Sequence, residues 1–298
     1  MTRILRRFFA FPLLLALAGC GGSGGGGESA SEEPPSPLLY EITDAQGGVE
    51  GWILGTIHAL PDDTQWRNPA IDRVVREADI LLVEVPGLDN RAAIAATFAE
   101  LATTPDLGPL PPRVDPALHS DLREMIALSE ATPERFNDTE TWAAAILLAQ
   151  VGAVGEPDNG VDRALIREFD GRPVRGFETP GEQLGIFDQL AEEDQRDLLE
   201  GTVREWTGSR DNPGWLTQAW LRGDLAVIEA ATSEGIMADP ELRAALLVDR
   251  NRRWMPVLLE NLRAGAKPLV AVGTAHIVGP DGLPAMLEAE GYTVRRVE

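Results

Sequence analysis

The sequence predicts an α/β fold built around a parallel sheet, and three observations predict it. Strand-like and helix-like runs alternate at both ends of the chain, which is the order of βαβ units. Ile80-Leu81-Leu82-Val83-Glu84-Val85 is apolar except for one carboxylate, as strands buried on both faces are. Two of the three histidines close such runs in matching phrases, Gly55-Thr56-Ile57-His58 and Gly273-Thr274-Ala275-His276. Both imidazoles are therefore expected at strand ends, where open α/β sheets bind their ligands.

In chain order, the first nineteen residues read as an export leader. Arg3, Arg6 and Arg7 precede the apolar stretch Phe8 to Leu17, which is too short to span a bilayer. Leu17-Ala18-Gly19-Cys20 resembles a bacterial lipoprotein box, which implies cleavage before Cys20 and acylation of that cysteine. A plain secretory signal with an incidental cysteine is the alternative. Gly21 after the cysteine goes with passage to the outer membrane, so the expected place is the cell envelope, lipid-anchored and facing the periplasm. Residues 20–37 then form a flexible tether rich in glycine, serine, glutamate and proline. Residues 38–298 are left for one domain.

Within that domain, Leu38 to Asp44 and Val49 to Leu54 read as a hairpin around Gln46-Gly47-Gly48. Ile71 to Ala78 has helical spacing and leads into the strand Ile80 to Val85, which Pro86-Gly87 ends. Helices follow over Arg91 to Thr103, Pro116 to Glu130, Thr139 to Val151 and Gly160 to Phe169, with Asp138 or Thr139 as the cap of the third. A short strand, Pro173 to Phe177, ends in Glu178. Helical patterning fills Gln183 to Ile236 and Pro240 to Leu262. The strand Leu269 to Val272, a helix from Gly282 to Glu290 and the strand Tyr292 to Val297 close the chain.

The formal net charge is −22, which repels nucleic acid and anionic headgroups and excludes both as partners of the domain surface. If Cys20, the one cysteine, is acylated, thiol catalysis and disulfides are excluded too. No P-loop, G-x-S-x-G elbow or strand-linked GxGxxG is present. Glu84 and Glu178 stand at strand ends, and on parallel strands both carboxylates emerge on the rim that carries the histidines. Two imidazoles and a carboxylate make a three-ligand metal set with an open position, a spare carboxylate taking the proton from a bound water. Arg250 can clamp a carboxylate or position a catalytic group. Plainer accounts stay open: imidazoles bonded to backbone, strand-end glutamates meeting solvent, and surface ion pairs for Asp162 and Arg250. His119 has no partner phrase and is expected to be structural or exposed, and the seven tryptophans are expected mainly in the core.

The residues that carry these features resemble the TraB/GumN family: Gly51 to His58, the strand ending at Glu84, and Gly160-Val161-Asp162 through Gly176-Phe177-Glu178-Thr179 to Gln183-Leu184. Arg250-Asn251, Val272 to Gly279 and Gly291-Tyr292-Thr293-Val294 complete the set. The family is similar to the Tiki proteases, which share paired Gly-x-x-His phrases, and more distantly to erythromycin esterase and the ChaN-like haem-binding proteins. The resemblance implies a central, mainly parallel sheet with flanking helices and an inserted helical region. It also implies a divalent-metal-dependent hydrolase, peptidase-like, with manganese or cobalt favoured and zinc admissible. By position, His58, Glu84 and His276 match the metal and catalytic set, and Asp162, Glu178 and Arg250 match recurrent polar positions. Thr274 stands where many relatives carry alanine. The expected substrate is a peptide or small molecule. The alternative is a non-catalytic periplasmic lipoprotein that holds haem, a metal ion or a small ligand.

Overall fold

The chain enters its sheet through a hairpin of β1 (Leu39–Thr43) and β2 (Val49–Thr56). Asp44 sets the turn: its carboxylate accepts the Gln46 and Gly48 amides, and Gly47 takes a φ of 82° that other residues resist. The computed structural model describes residues 34–297. The expected leader, Cys20 and the tether through residue 33 lie outside the described residues. Helix α1 (Pro69–Glu77) starts where the Asn68 side chain accepts the Ile71 amide and Pro69 fills the first turn, and it leads to β3 (Ile80–Val83).

The inserted region then runs through α2 (Arg91–Leu101), α3 (His119–Leu128), α4 (Thr141–Leu148) and α5 (Val161–Glu168) to β4 (Val174–Gly176). It continues with α6 (Pro180–Asp188), α7 (Glu192–Ser209), α8 (Trp215–Arg222) and α9 (Leu225–Ala231). Last come α10 (Pro240–Arg243), a π-turn over Ala244–Val248, α11 (Asp249–Arg263), β5 (Pro268–Gly273), α12 (Leu283–Ala289) and β6 (Thr293–Arg296).

The six strands lie in the order β4-β3-β5-β2-β1-β6. The four from β4 to β2 are mutually parallel, and β1 runs antiparallel to both of its neighbours. The α/β expectation is met, and the parallel strands end on one edge. Side chains alternate across the sheet. Ile53, Leu82, Val270 and Val272 pack with Trp254 and Leu258 of α11 and Leu287 of α12 on one face. Trp52, Leu54, Leu81, Val83 and Ala271 pack with Ile71 of α1, Leu165 of α5 and Trp220 of α8 on the other. The helices of the insertion bury a core of their own, centred on Trp142, Phe187 and Leu199.

Two details depart from expectation. Helix α4 begins at Thr141 with no side-chain cap, because Asp138 bonds the Asp106 amide and Thr139 bonds the Arg135 carbonyl. Gln195 Oε1 accepts the Trp142 amide instead. The helical patterning from Gln183 to Ile236 resolves into separate helices, one break falling at Gly223, which caps α8 in the left-handed conformation with φ 58°.

Candidate functional site

Each parallel strand delivers one side chain to the common edge. His58 follows β2 by two residues, Glu84 follows β3 directly, Glu178 follows β4 by two, and His276 sits in the 3-10 turn Thr274–Ile277 after β5. Asp162 comes from the first turn of α5 and Arg250 from that of α11. All six residues singled out in the sequence meet at this edge, in two hydrogen-bonded groups: His58 with Asp162, and Arg250 with Glu84, Glu178 and His276. The plain accounts of strand-end glutamates in solvent and of a surface Arg250 fail: Glu84 and Glu178 are each 7 % exposed and Arg250 is 2 % exposed.

The Arg250 guanidinium joins the carboxylates. Its Nη2 donates to Glu84 Oε2 at 2.6 Å and to Glu178 Oε2 at 2.8 Å, and its Nε donates to Glu178 Oε1 at 3.1 Å. Trp254 Nε1 donates to Glu178 Oε1 at 3.1 Å. Both Glu178 oxygens are thus held by Arg250 and Trp254. Glu84 Oε1 accepts the Gly273 amide at 2.8 Å, and Gln183 Nε2 reaches Glu84 Oε2 at 3.2 Å. Burial alone would raise the Glu84 pKa, but Arg250, His276, His58 and the Gly273 amide together hold it well below the usual carboxylate range.

Hydrogen bonding orients both imidazoles. His58 Nδ1 lies 2.6 Å from Asp162 Oδ2, while Asp162 Oδ1 accepts Thr56 Oγ1 at 2.7 Å. A carboxylate cannot donate, so His58 Nδ1 carries a proton and Nε2 is left free. Asn251 Nδ2 donates to the carbonyls of His276 and Asp281, which turns Asn251 Oδ1 toward His276 Nδ1 at 2.7 Å and assigns a proton to that nitrogen. His276 Nε2 then accepts from Arg250 Nη1 at 3.1 Å. Burial, opposed and overcome by the Asp162 charge and hydrogen bond with help from Glu84, leaves the His58 pKa raised. Burial first, then Arg250, push His276 down to about 3, so it stays neutral.

A cavity of about 90 Å³ opens over these groups, walled on its apolar side by Leu216, Trp220, Ile228 and Ala231. Its floor includes Gly273, and the missing side chain matters there. A Cβ at Gly273 would sit 3.0 Å from Glu84 Oε1, 3.5 Å from His58 Nε2 and 3.8 Å from His276 Cδ2. The glycine keeps clear a cradle ringed by an ionised carboxylate and two imidazoles whose far nitrogens are anchored. Anchored imidazoles beside a carboxylate are the donor chemistry of a divalent-cation site, outer partners included. His58, Glu84 and His276 fit such an ion on that ground. Arg250 holds the His276 Nε2 lone pair, and among the described residues no three acidic, histidine or cysteine side chains stand closed as a ready chelate. Binding a cation therefore requires Arg250 to release that nitrogen.

Sequence reasoning left out Asn251, Trp254 and Thr56. Trp254 lies one helical turn beyond Arg250 and packs against His276 with ring centroids 4.4 Å apart and the planes tilted by 39°. The spacing of Arg250, Asn251 and Trp254 along a helix was the available signal. His119 sits on α3 away from the network, as expected, with its Nε2 buried and unpartnered among the described residues. Trp52, Trp142, Trp220 and Trp254 are core, and Trp220 also donates to the Gly55 carbonyl at 2.9 Å.

The family model described as TraB/PrgY/gumN family matches residues 38–296, which span the sheet, the insertion and every residue of this network. No curated protein and no solved structure matches the chain.

Proposed function

The chain belongs to the TraB/PrgY/gumN family, and from that premise we propose that it is a metal-dependent hydrolase, peptidase-like in its substrate and held in the cell envelope by an acylated Cys20. The observation that carries the reading is the cradle at Gly273, where side chains from three strands face one space. His58, Glu84 and His276 hold a divalent cation there, manganese or cobalt in preference to zinc by the resemblance. When bound, the cation supplies a water of lowered pKa.

The chain's own groups prepare that chemistry. Arg250 keeps Glu84 ionised, and Asp162 and Asn251 fix which nitrogen each imidazole presents. The apolar wall of Leu216, Trp220, Ile228 and Ala231 limits water at the reacting centre and offers contact to an apolar substrate group. The envelope location rests on the Leu17-Ala18-Gly19-Cys20 sequence and its expected acylation. Among the described residues no helix is long and apolar enough to cross a membrane.

Digestion of a peptide library by the protein with added manganese or cobalt, read by mass spectrometry, tests the activity. Cleavage that is lost in Glu84→Gln supports the hydrolase. Metal bound without cleavage of any library member overturns it and leaves the non-catalytic alternative, whose haem version a Soret titration decides.

A further inference from the structure

A second pocket adjoins the first. Ile57 and Leu216 stand in the walls of both. The second has a volume of about 70 Å³ and lies between α7 and α8, with Glu205, Trp206 and Trp215 among its walls. Glu205 is 6 % exposed, and its Oε1 accepts the Ile236 amide at 2.9 Å. Among the described residues no arginine, lysine or histidine pairs with this carboxyl. Arg204 is paired with Glu200, and Arg210 is paired with Glu124 while its guanidinium lies over the Trp206 ring.

A buried carboxyl without a countercharge is costly, and glutamine would serve the Ile236 amide equally well without that cost. Burial, only partly offset by the Ile236 amide, pushes the Glu205 pKa up to about 8. Trp206 and Trp215 stand in the walls, and indole faces attract cations: the Arg210 guanidinium already lies 3.8 Å from the Trp206 ring centroid, and Trp215 is the second indole. Trp206 turns its Nε1 toward Gly152, 3.3 Å from where a Cβ would stand, and the left-handed φ of 77° there favours glycine and an open rim.

We propose that this pocket is a subsite for a cationic group, an ammonium or guanidinium on an apolar stem, with the Glu205 carboxylate as its partner. The ligand brings the missing positive charge, and Glu205 releases its proton to solvent as the ion pair forms. Binding stands without any catalysis; only the further role of the pocket in choosing basic side chains for cleavage rests on the hydrolase reading.

Titration with n-butylammonium, with n-butanol as the uncharged match, tests the site through the indole N–H signals of Trp206 and Trp215. The amine should shift both signals saturably in the wild type and bind at least about tenfold more weakly to Glu205→Gln, a tenfold loss being about 1.4 kcal/mol. Butanol should not distinguish the two proteins. Calorimetry of the wild type at pH 7 in buffers of different ionisation heat should show release of about one proton per amine bound. Absence of saturable shifts, equal affinity in Glu205→Gln, or binding without proton release would overturn the subsite. Neither measurement reads metal or turnover, so failure of the hydrolase reading cannot be mistaken for failure of this one.

Discussion

The two Gly-Thr-x-His phrases share a sequence pattern and differ in what surrounds their imidazoles. His58 leans on a carboxylate, keeps Nε2 free and has a raised pKa. His276 leans on an amide, is covered by Trp254 and Arg250, and is held neutral. The glycines differ in the same sense. Gly55 makes room for the other phrase, since a Cβ there would meet Ile277 Cδ1 at 2.7 Å and Thr274 Oγ1 at 2.8 Å, whereas Gly273 makes room for the cradle. Thr274 Oγ1 donates to the Thr56 carbonyl at 2.9 Å and ties the phrases together. A repeated motif thus yields one ring that can carry a proton and one fixed as a neutral donor, and the neighbours decide which is which.

Arg250 is where this contrast can be broken most forcefully. Arg250→Ala leaves Glu84 and Glu178 buried without their cation and should cost about 3–5 kcal/mol in urea unfolding. Asp162→Asn, which supports the other phrase, weakens its bonds to His58 and Thr56 and should cost about 1–3 kcal/mol. Equal losses would show that the two phrases are supported alike.

Titration sharpens the comparison. In metal-free protein, imidazole NMR should show His58 gaining its proton above pH 6.5 and His276 remaining neutral down to about pH 3. The linkage signs are opposite. Between about 3 and 6.5 the unfolded chain binds a proton that buried His276 refuses, so its contribution makes stability rise with pH, by at most about 1.4 kcal/mol per unit. His58 holds its proton more tightly when folded. Its contribution is fully present below 6.5 and is lost as pH rises through the folded value. Two imidazoles titrating together would erase the distinction.

The glycines give a smaller effect. Gly55→Ala should lose about 1–3 kcal/mol by overpacking. Gly273→Ala should cost less stability and yet abolish metal binding, because its methyl enters the cradle. A Gly273→Ala protein that binds metal normally would remove the cradle from the account. Smallest of all, Thr274→Ala should cost about 0.5–1.5 kcal/mol for the lost tie to the Thr56 carbonyl, seen as a modest fall in melting temperature.

The sheet was legible because its central strands are nearly all apolar and its phrases mark their ends: Glu84 and Glu178 fall where the patterning places them. The breaks within Gln183 to Ile236 were less legible, because helical spacing continues across short turns. Arg250 was legible only as one of two readings, a clamp on a carboxylate or a surface ion pair. An arginine near a helix start looks like a surface ion pair until the fold brings two carboxylates to it from positions 166 and 72 residues away in the chain. Asn251 and Trp254 were hidden for the same reason, since their partners lie across the sheet edge and not along the helix. The pairing of Glu178 with Arg250 is likewise a tertiary fact.

The most direct test of the central claim, one cation site shared by the two phrases and Glu84, is cobalt(II) titration of metal-free protein followed by imidazole NMR and visible absorption. One cobalt per chain should bind, shift the signals of His58 and His276 together, and be lost in His58→Ala, His276→Ala and Glu84→Gln alike. Cobalt that perturbs only one ring, or that binds undiminished in those three variants, would contradict the shared site.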